Sequence, residues 1–483
     1  MKLLALLSGL LLGLTVPMVT AATNPIVIKN YKMYDSVTGK YFGVRGVDYY
    51  PRANTGTKYD VNNYDFFTDD HEDIWGPDIQ YLADLGANAV RLYAVNPSLS
   101  HDKFMAALSA KGMYALVDLG ANCKNCAITR DAAPTCYPSQ LKSRGEMIIG
   151  AFAKYDNVLA FSAGNEVNHV VDDPNTNAPC QKKFIRDMRK YIDSCTSMRK
   201  IPVGVVLADT NRDANALYYN CRTDTSDTYE NAEWYGINVY VHCDGAVTDV
   251  SNAAGFNQLL SDFTTYKMNI PVMLTEFGCL SNSFATVNEY EAQRTWLQAG
   301  WLHSKKYRAM FNGGFVFEYS TENANSKADA PYPFTKFGGQ NYGLGYYSPA
   351  TCDHDTVKCV YKTMPNYGFL QTQYKATNYD DEPLMSSFVA DANKKDFPSC
   401  PSGFATLKSI TWPADSTASL SCPTIVPTPG TTPAPTTKTP TPGTSTSPSP
   451  SSNSGEASIM RTHGVLATFV TSCVTALLVA TFL

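Results

Sequence analysis

Short apolar runs of strand length alternate along this chain with amphipathic stretches of helical spacing. The runs, rich in β-branched and aromatic residues, fall at 41–50, 88–95, 113–120, 158–167, 201–208, 234–240, 270–278 and 313–319. Between them, stretches such as 73–85, 102–110, 184–191 and 290–303 repeat apolar residues every three or four positions, the signature of a helix with one buried face. Alternation of this kind implies a parallel sheet, and eight units within about 300 residues predict an α/β chain folded as a closed (β/α)8 barrel. An open doubly wound sheet is the alternative. No Gly-x-Gly-x-x-Gly follows the first run, so a dinucleotide site has no support.

Two of these runs end in glutamate. Glu166 closes Leu159-Ala-Phe-Ser-Ala-Gly-Asn-Glu166, on the fourth strand, and Glu276 lies in Val272-Met-Leu-Thr-Glu276, on the seventh. Barrel enzymes build their sites at the C-terminal ends of the strands, so the pair is expected on one rim. Two facing carboxyl groups are what cleavage of a glycosidic bond requires: one gives a proton to the departing oxygen while the other, ionised, attacks the anomeric carbon. Asn165 beside Glu166 suits the acid, because its amide can bind a substrate 2-hydroxyl. If the pair works with retention, the carboxyl groups should lie about 5–5.5 Å apart. Either glutamate alone is as readily an ion-pair or cap partner; the shared context gives the pair its meaning.

From the chain's ends this barrel is expected outside the cell. Residues 1–22 carry Lys2, a leucine-rich run from Leu3 to Leu14, and small residues Ala21 and Ala22, the pattern of a cleaved signal peptide. Residues 423–454 are Thr, Pro, Ser and Gly with almost no apolar residue, an extended stalk suited to O-glycosylation. Small residues at Asn453 and Ser454, a short polar spacer, and an uncharged apolar run from Val465 to Leu483 then follow. This order is expected of a GPI-attachment signal, with Asn453 or Ser454 taking the lipid and 455–483 removed; a plain membrane helix is the alternative. The catalytic barrel is thus expected over 23–345 and an extension packed on it over 346–422.

Cysteine usage agrees with export. Of thirteen cysteines, Cys473 lies in the removable tail, which leaves an even number for disulfides. Cys123-Lys-Asn-Cys126 has no second Cys-x-x-Cys to complete a zinc site, so a structural bridge is expected there. Cys352 with Cys359, and Cys400 with Cys422, are near in sequence and candidates for pairing, although sequence does not fix connectivity. His71-Glu72 lacks the second histidine of a zinc-protease helix, because Trp75 stands in its place. No metal or other cofactor is expected.

A net charge of −5, with both signs mixed along the chain, offers no basic footprint for nucleic acid. Tyrosine and phenylalanine are abundant, at 30 and 22 copies, and Tyr49, Tyr50, Tyr93, Tyr240, Tyr319, Tyr342, Tyr346 and Tyr347 fall at strand ends or in the loops after them. Flat rings with a polar tip suit sugar faces, although each singly is as readily a structural residue.

Several long motifs then resemble one family. They are Gly46-Val-Asp-Tyr-Tyr-Pro51, Gly86-Ala-Asn-Ala-Val-Arg-Leu-Tyr-Ala94, Ser100-His-Asp102, Ala107-Leu-Ser-Ala-Lys-Gly-Met-Tyr114, Ala163-Gly-Asn-Glu-Val167, Arg199-Lys-Ile-Pro-Val-Gly204, Tyr235-Gly-Ile-Asn-Val-Tyr240 and Thr275-Glu-Phe-Gly-Cys279. Over about residues 26–345 the chain resembles the fungal and oomycete GPI-anchored β-1,3-glucanosyltransferases, glycoside hydrolase family 72. The resemblance implies an enzyme that cleaves inside a β-1,3-glucan, keeps the donor as a glycosyl-enzyme and passes it to the non-reducing end of a second β-1,3-glucan. It implies Glu166 as acid/base and Glu276 as nucleophile, with Tyr93, Asp118, Asn165 and Tyr240 around the donor sugar and Arg91 beside them; Tyr50 and Tyr319 join them as substrate contacts. Tyr50 stands where the family usually has glutamine. Val241-His242 replaces an acidic-aromatic pair before Cys243, and Phe317-Glu-Tyr-Ser-Thr-Glu322 follows the family's eighth-strand pattern loosely. A plain secreted β-glucanase, or a wall-binding protein that keeps the barrel without catalysis, are the competing readings.

Overall fold

The apolar runs become eight parallel strands closed on themselves. The computed structural model describes residues 23–59, 63–243, 247–278, 295–321, 343–394 and 396–425. The expected signal peptide, nearly all of the stalk, the lipid-attachment residues and the apolar tail lie outside the described residues. Among the described residues no helix is long and apolar enough to cross a membrane.

A hairpin of β1 (Ile26–Lys29) and β2 (Lys32–Asp35) precedes β3 (Val44–Asp48), α1 (Glu72–Leu85), β4 (Ala89–Leu92), α2 (Asp102–Ala110), β5 (Tyr114–Asp118) and α3 (Ser139–Phe152). Then come β6 (Val158–Asn165), α4 (Ala178–Ser194), β7 (Val203–Ala208), α5 (Arg212–Asn220), β8 (Tyr235–Asn238), α6 (Ala254–Tyr266), β9 (Val272–Phe277) and β10 (Phe311–Val316). The strands β3 to β10 pair in sequence order, and β10 closes the ring on β3 in parallel register. All eight expected strands are present, each a little shorter than its apolar run because the run continues into the rim.

Inside the ring each strand or its approach contributes one apolar side chain: Val44, Ala89, Leu116, Ala160, Val206, Trp234, Met273 and Phe315. The Trp234 indole fills the centre, and a Cβ at Gly204 would lie 2.3 Å from it, so the neighbouring strand must present glycine. Ile26 and Met33 of the hairpin join this cluster and cover one mouth of the barrel. The hairpin was not anticipated, because four-residue strands of mixed polarity carry no clear period.

Residues 346–425 wrap the barrel. A hairpin of β11 (Gly345–Ser348) and β12 (Val360–Thr363) leads to a helix at Pro365–Lys375 that packs between α1 and the helix Leu297–Leu302, where it occupies the last place in the outer ring. Tyr374 of that helix donates to the Gly46 carbonyl at 2.8 Å. Cys352 pairs with Cys359 and Cys123 with Cys126, as the spacing suggests. Cys400 and Cys422 do not pair with each other. Cys400 meets Cys221 after α5 and Cys422 meets Cys195 after α4, because the segment between them is stretched across the helices, with Lys142 holding the Thr417 carbonyl at 2.6 Å. Cys136 with Cys180 makes a further bridge, and Cys243 is also disulfide-bonded.

Candidate active site

The alternation of a strand sets the site. Two residues beyond the apolar layer, the same inward faces of β4, β5, β6 and β9 present Arg91, Asp118, Ser162 and Thr275, and all four are buried. A polar layer thus caps the apolar core toward the strands' C-terminal ends. Arg91, 0% exposed, is its centre. Its Nη2 donates to Asp118 Oδ2 and to Asn165 Oδ1, both at 2.9 Å, while Nη1 donates to Glu276 Oε1 at 3.1 Å and to the Tyr93 hydroxyl at 3.2 Å. Burial works against its charge, but the carboxyls of Asp118 and Glu276 beside it hold it protonated.

Glu276, 7% exposed on β9, accepts from three donors. Besides Arg91, Tyr93 donates to Oε1 at 2.8 Å and Tyr240 to Oε2 at 2.9 Å. Glu166 sits one residue past β6 with φ of 50°, so the chain leaves the sheet there and the side chain turns over the rim; its N–H still donates to the Val206 carbonyl at 3.0 Å. Its Oε1 accepts from Asn238 Nδ2 at 2.8 Å. Burial and the neighbouring Glu166 push Glu276 up to about 7, against the pull of Arg91, Tyr93 and Tyr240. Three donors face Glu276 and one amide faces Glu166, so the ionised form is better supported at Glu276 than at Glu166.

Asn165 is oriented by its partners. Its Oδ1 takes hydrogen bonds from Arg91 and, at 3.2 Å, from Asn238, which leaves its amide N–H groups for the cleft, where the residue is exposed. Asn238 is a residue of this cluster that the sequence does not single out. Thr275 donates to its Oδ1 at 2.8 Å, so its amide nitrogen must face Glu166 and Asn165. The signal was present, since Asn238 lies two positions before Tyr240 on the same face of one strand.

The structure brings Glu166, Glu276, Asn165, Arg91, Tyr93, Asp118 and Tyr240 together. Asp118 is turned into Arg91 with 2% exposure, so it holds the guanidinium in place. Burial pushes its carboxyl up, opposed by Arg91. Tyr50 stacks on Tyr93 with ring centroids 4.8 Å apart, and the Arg52 guanidinium lies 4.6 Å from the centre of the Tyr50 ring. Tyr319 is not brought to the cleft. Its ring is fully buried, stacked on Tyr361 at 4.1 Å and edge-on to Tyr49 at 5.1 Å, in a cluster where Tyr49 and Tyr347 both donate to Asp78. The reason is again alternation: Tyr319 N–H pairs with the Asp48 carbonyl, and the ring then faces the β11–β12 hairpin. Tyr342 and Glu322 lie outside the described residues. His242, from the unusual Val241-His242 pair, packs edge-on to Trp301 at 4.9 Å.

Comparison with known proteins relates the chain to glucanosyltransferases. A family model described as Glucanosyltransferase matches residues 15–327. The 1,3-beta-glucanosyltransferase gas4 of Schizosaccharomyces pombe is 35% identical over 305 residues, which is 63% of this chain and 61% of that protein. The 1,3-beta-glucanosyltransferase GAS5 of Saccharomyces cerevisiae is 34% identical over 309 residues, 63% of this chain and 58% of that protein. The chain thus spans about three fifths of the length of these relatives. Among solved structures, Saccharomyces cerevisiae Gas2p in complex with laminaritriose and laminaritetraose matches with a TM-score of 0.56 at 26% identity, over 84% of this chain and 74% of that one.

Proposed function

The chain belongs to the glucanosyltransferase family, glycoside hydrolase family 72, and from that premise we propose that it is a retaining β-1,3-glucan transglycosylase. The observation that carries this reading is the unequal surroundings of two carboxyls on one rim, Glu276 among three donors and Glu166 beside one amide. Glu166 gives its proton to the glycosidic oxygen as a Glu276 oxygen attacks the anomeric carbon; the bond to the leaving chain breaks and a glycosyl ester forms. The reducing-end fragment departs. Glu166, now ionised, takes the proton of a hydroxyl at the non-reducing end of a second β-1,3-glucan, whose oxygen displaces Glu276 and restores the original linkage geometry. Tyr240 and Tyr93 keep the Glu276 carboxylate in line with the anomeric carbon in both steps, and the free amide of Asn165 takes the 2-hydroxyl. Tyr50 adds its ring to the wall behind Tyr93.

The reading extends to where the enzyme works. A cleaved leader at 1–22, a Thr/Pro/Ser stalk and a lipid at Asn453 or Ser454 would tether the barrel to the outer face of the plasma membrane, within reach of wall glucan. The deciding experiment incubates the purified ectodomain with a reduced laminari-oligosaccharide. Products longer than the starting chain are expected. Glucose and short fragments alone would make the protein a hydrolase, and no products at all a binding protein.

A further inference from the structure

Asp48 is a carboxyl beside Arg91 to which the mechanism gives no task. It ends β3, directly opposite Arg91 in the register of β4, and is 0% exposed. Both of its carboxyl oxygens are buried without a hydrogen-bond donor. The neighbouring Arg91 does not supply one: its Nε–H is itself buried without a partner and so is not turned to Asp48. The terminal nitrogens of Arg91 are committed to Asp118, Asn165, Tyr93 and Glu276, and the single proton of the Tyr93 phenol goes to Glu276. A buried carboxylate without donors is several kcal/mol less favourable than its neutral acid, so such a group takes up a proton.

Resting on the assignment of Glu276 as nucleophile, we infer that Asp48 is a positioning residue held as an uncharged carboxylic acid, which fills the layer beneath Tyr93 without competing for the donors that serve Glu276. The groups that face it are Arg91 and Tyr93 from β4, Glu276 from β9, Glu318 after β10, and Tyr374 of the outer helix. Burial raises its carboxyl well above the ordinary range; Arg91 and Tyr93 oppose this, and Glu276 and Glu318 add to it. Were Asp48 ionised, it would draw Arg91 and the Tyr93 proton toward itself and press a second negative charge on the nucleophile. Neutral, it supports the phenol and leaves both donors where catalysis needs them.

Infrared difference spectroscopy of the intact ectodomain tests the protonation state apart from activity. Wild type minus Asp48→Asn should show the carbonyl stretch of a protonated carboxyl that persists from about pH 5 to about pH 8, where an ordinary aspartate is fully ionised. Kinetics test the role. Asp48→Ala should lower kcat about tenfold with little change in KM, an effect of about 1.4 kcal/mol, and Asp48→Asn, whose amide has the shape of the neutral acid, should regain most of that loss. The acidic limb of kcat/KM in Asp48→Asn, set by Glu276, should stay within about half a unit of wild type. Absence of the protonated-carboxyl band, failure of Asn to rescue Ala, or a limb displaced downward by about one unit or more, the mark of a removed anion, would each overturn the inference. The band is read whether or not Glu276 is the nucleophile, so an active Glu276→Gln variant would defeat that assignment without touching the spectroscopic result.

Discussion

Tyr93 and Arg91, two residues apart on one edge of the barrel interior, grip the same oxygen of Glu276 at 2.8 and 3.1 Å. The Arg91 guanidinium also lies 4.0 Å from the Tyr93 ring, so each fixes the other. Replacing Arg91 by Met leaves Asp118 and Glu276 buried without their cation and should cost about 3–5 kcal/mol, read from the midpoint of urea unfolding. Arg91→Lys should keep more of the stability and still lose activity, since one ammonium cannot span Asp118, Asn165 and Glu276 as the planar fork does. A Met variant as stable as wild type would mean that the pairs contribute nothing to the fold.

The two glutamates should fail differently. Glu276→Gln keeps the side-chain volume and the donors around it, so the fold should persist while an activated fluoro-glycoside donor leaves no covalent adduct in mass spectrometry. Glu166→Gln should slow transfer from natural glucan by about 10²–10⁴-fold. An aryl donor with a good leaving group should restore its first step but not the transfer step, which still needs a base. Equal loss with both donors would remove Glu166 from the acid/base role.

The value of about 7 at Glu276 is raised first by burial and then by the Glu166 carboxyl. Glu276 must be ionised to attack, so activity of the wild type should rise as pH rises through about 7. In Glu166→Gln assayed with the aryl donor, the like charge is gone, and this acidic limb should move to lower pH. Linkage gives the matching stability effect. Folded Glu276 holds its proton more tightly than an unfolded glutamate, whose ordinary value is 4.5, so this contribution is fully present below that value and is lost as pH rises through about 7. The melting temperature of wild type should drop across that window more than that of Glu276→Gln.

Asn238 links the acid to the substrate-binding amide, with Nδ2 shared between Glu166 and Asn165. Its loss removes one hydrogen bond to an ionisable group, worth about 1.5–3 kcal/mol. Asn238→Ala should thus lower kcat by about 10- to 100-fold, with circular dichroism unchanged. A wild-type kcat would leave Asn238 a bystander.

Lipid attachment near Asn453 or Ser454 predicts release of the protein from membranes by a phosphatidylinositol-specific phospholipase, and a mature chain without the Val465–Leu483 peptide. Retention after that treatment, with the tail peptide detected, would make the tail a membrane span.

The local pattern of the chain was enough to order the barrel. Strand-length apolar runs interrupted by helical periods placed Glu166 and Glu276 on the fourth and seventh strands, because alternation and helical spacing are properties of neighbouring residues and survive in any tertiary setting. What the closed barrel alone decided is who meets across it. Arg91 reaches Glu276 over 185 positions and Asn238 reaches Glu166 over 72, contacts that no local period encodes. The same holds for Cys195 with Cys422, joined across 227 positions while nearer cysteines stay apart. Tyr319 shows the limit most plainly: its place after the eighth strand was legible, but the β11–β12 hairpin, folding back over that edge, gave its ring an apolar seam to fill in place of a cleft to face.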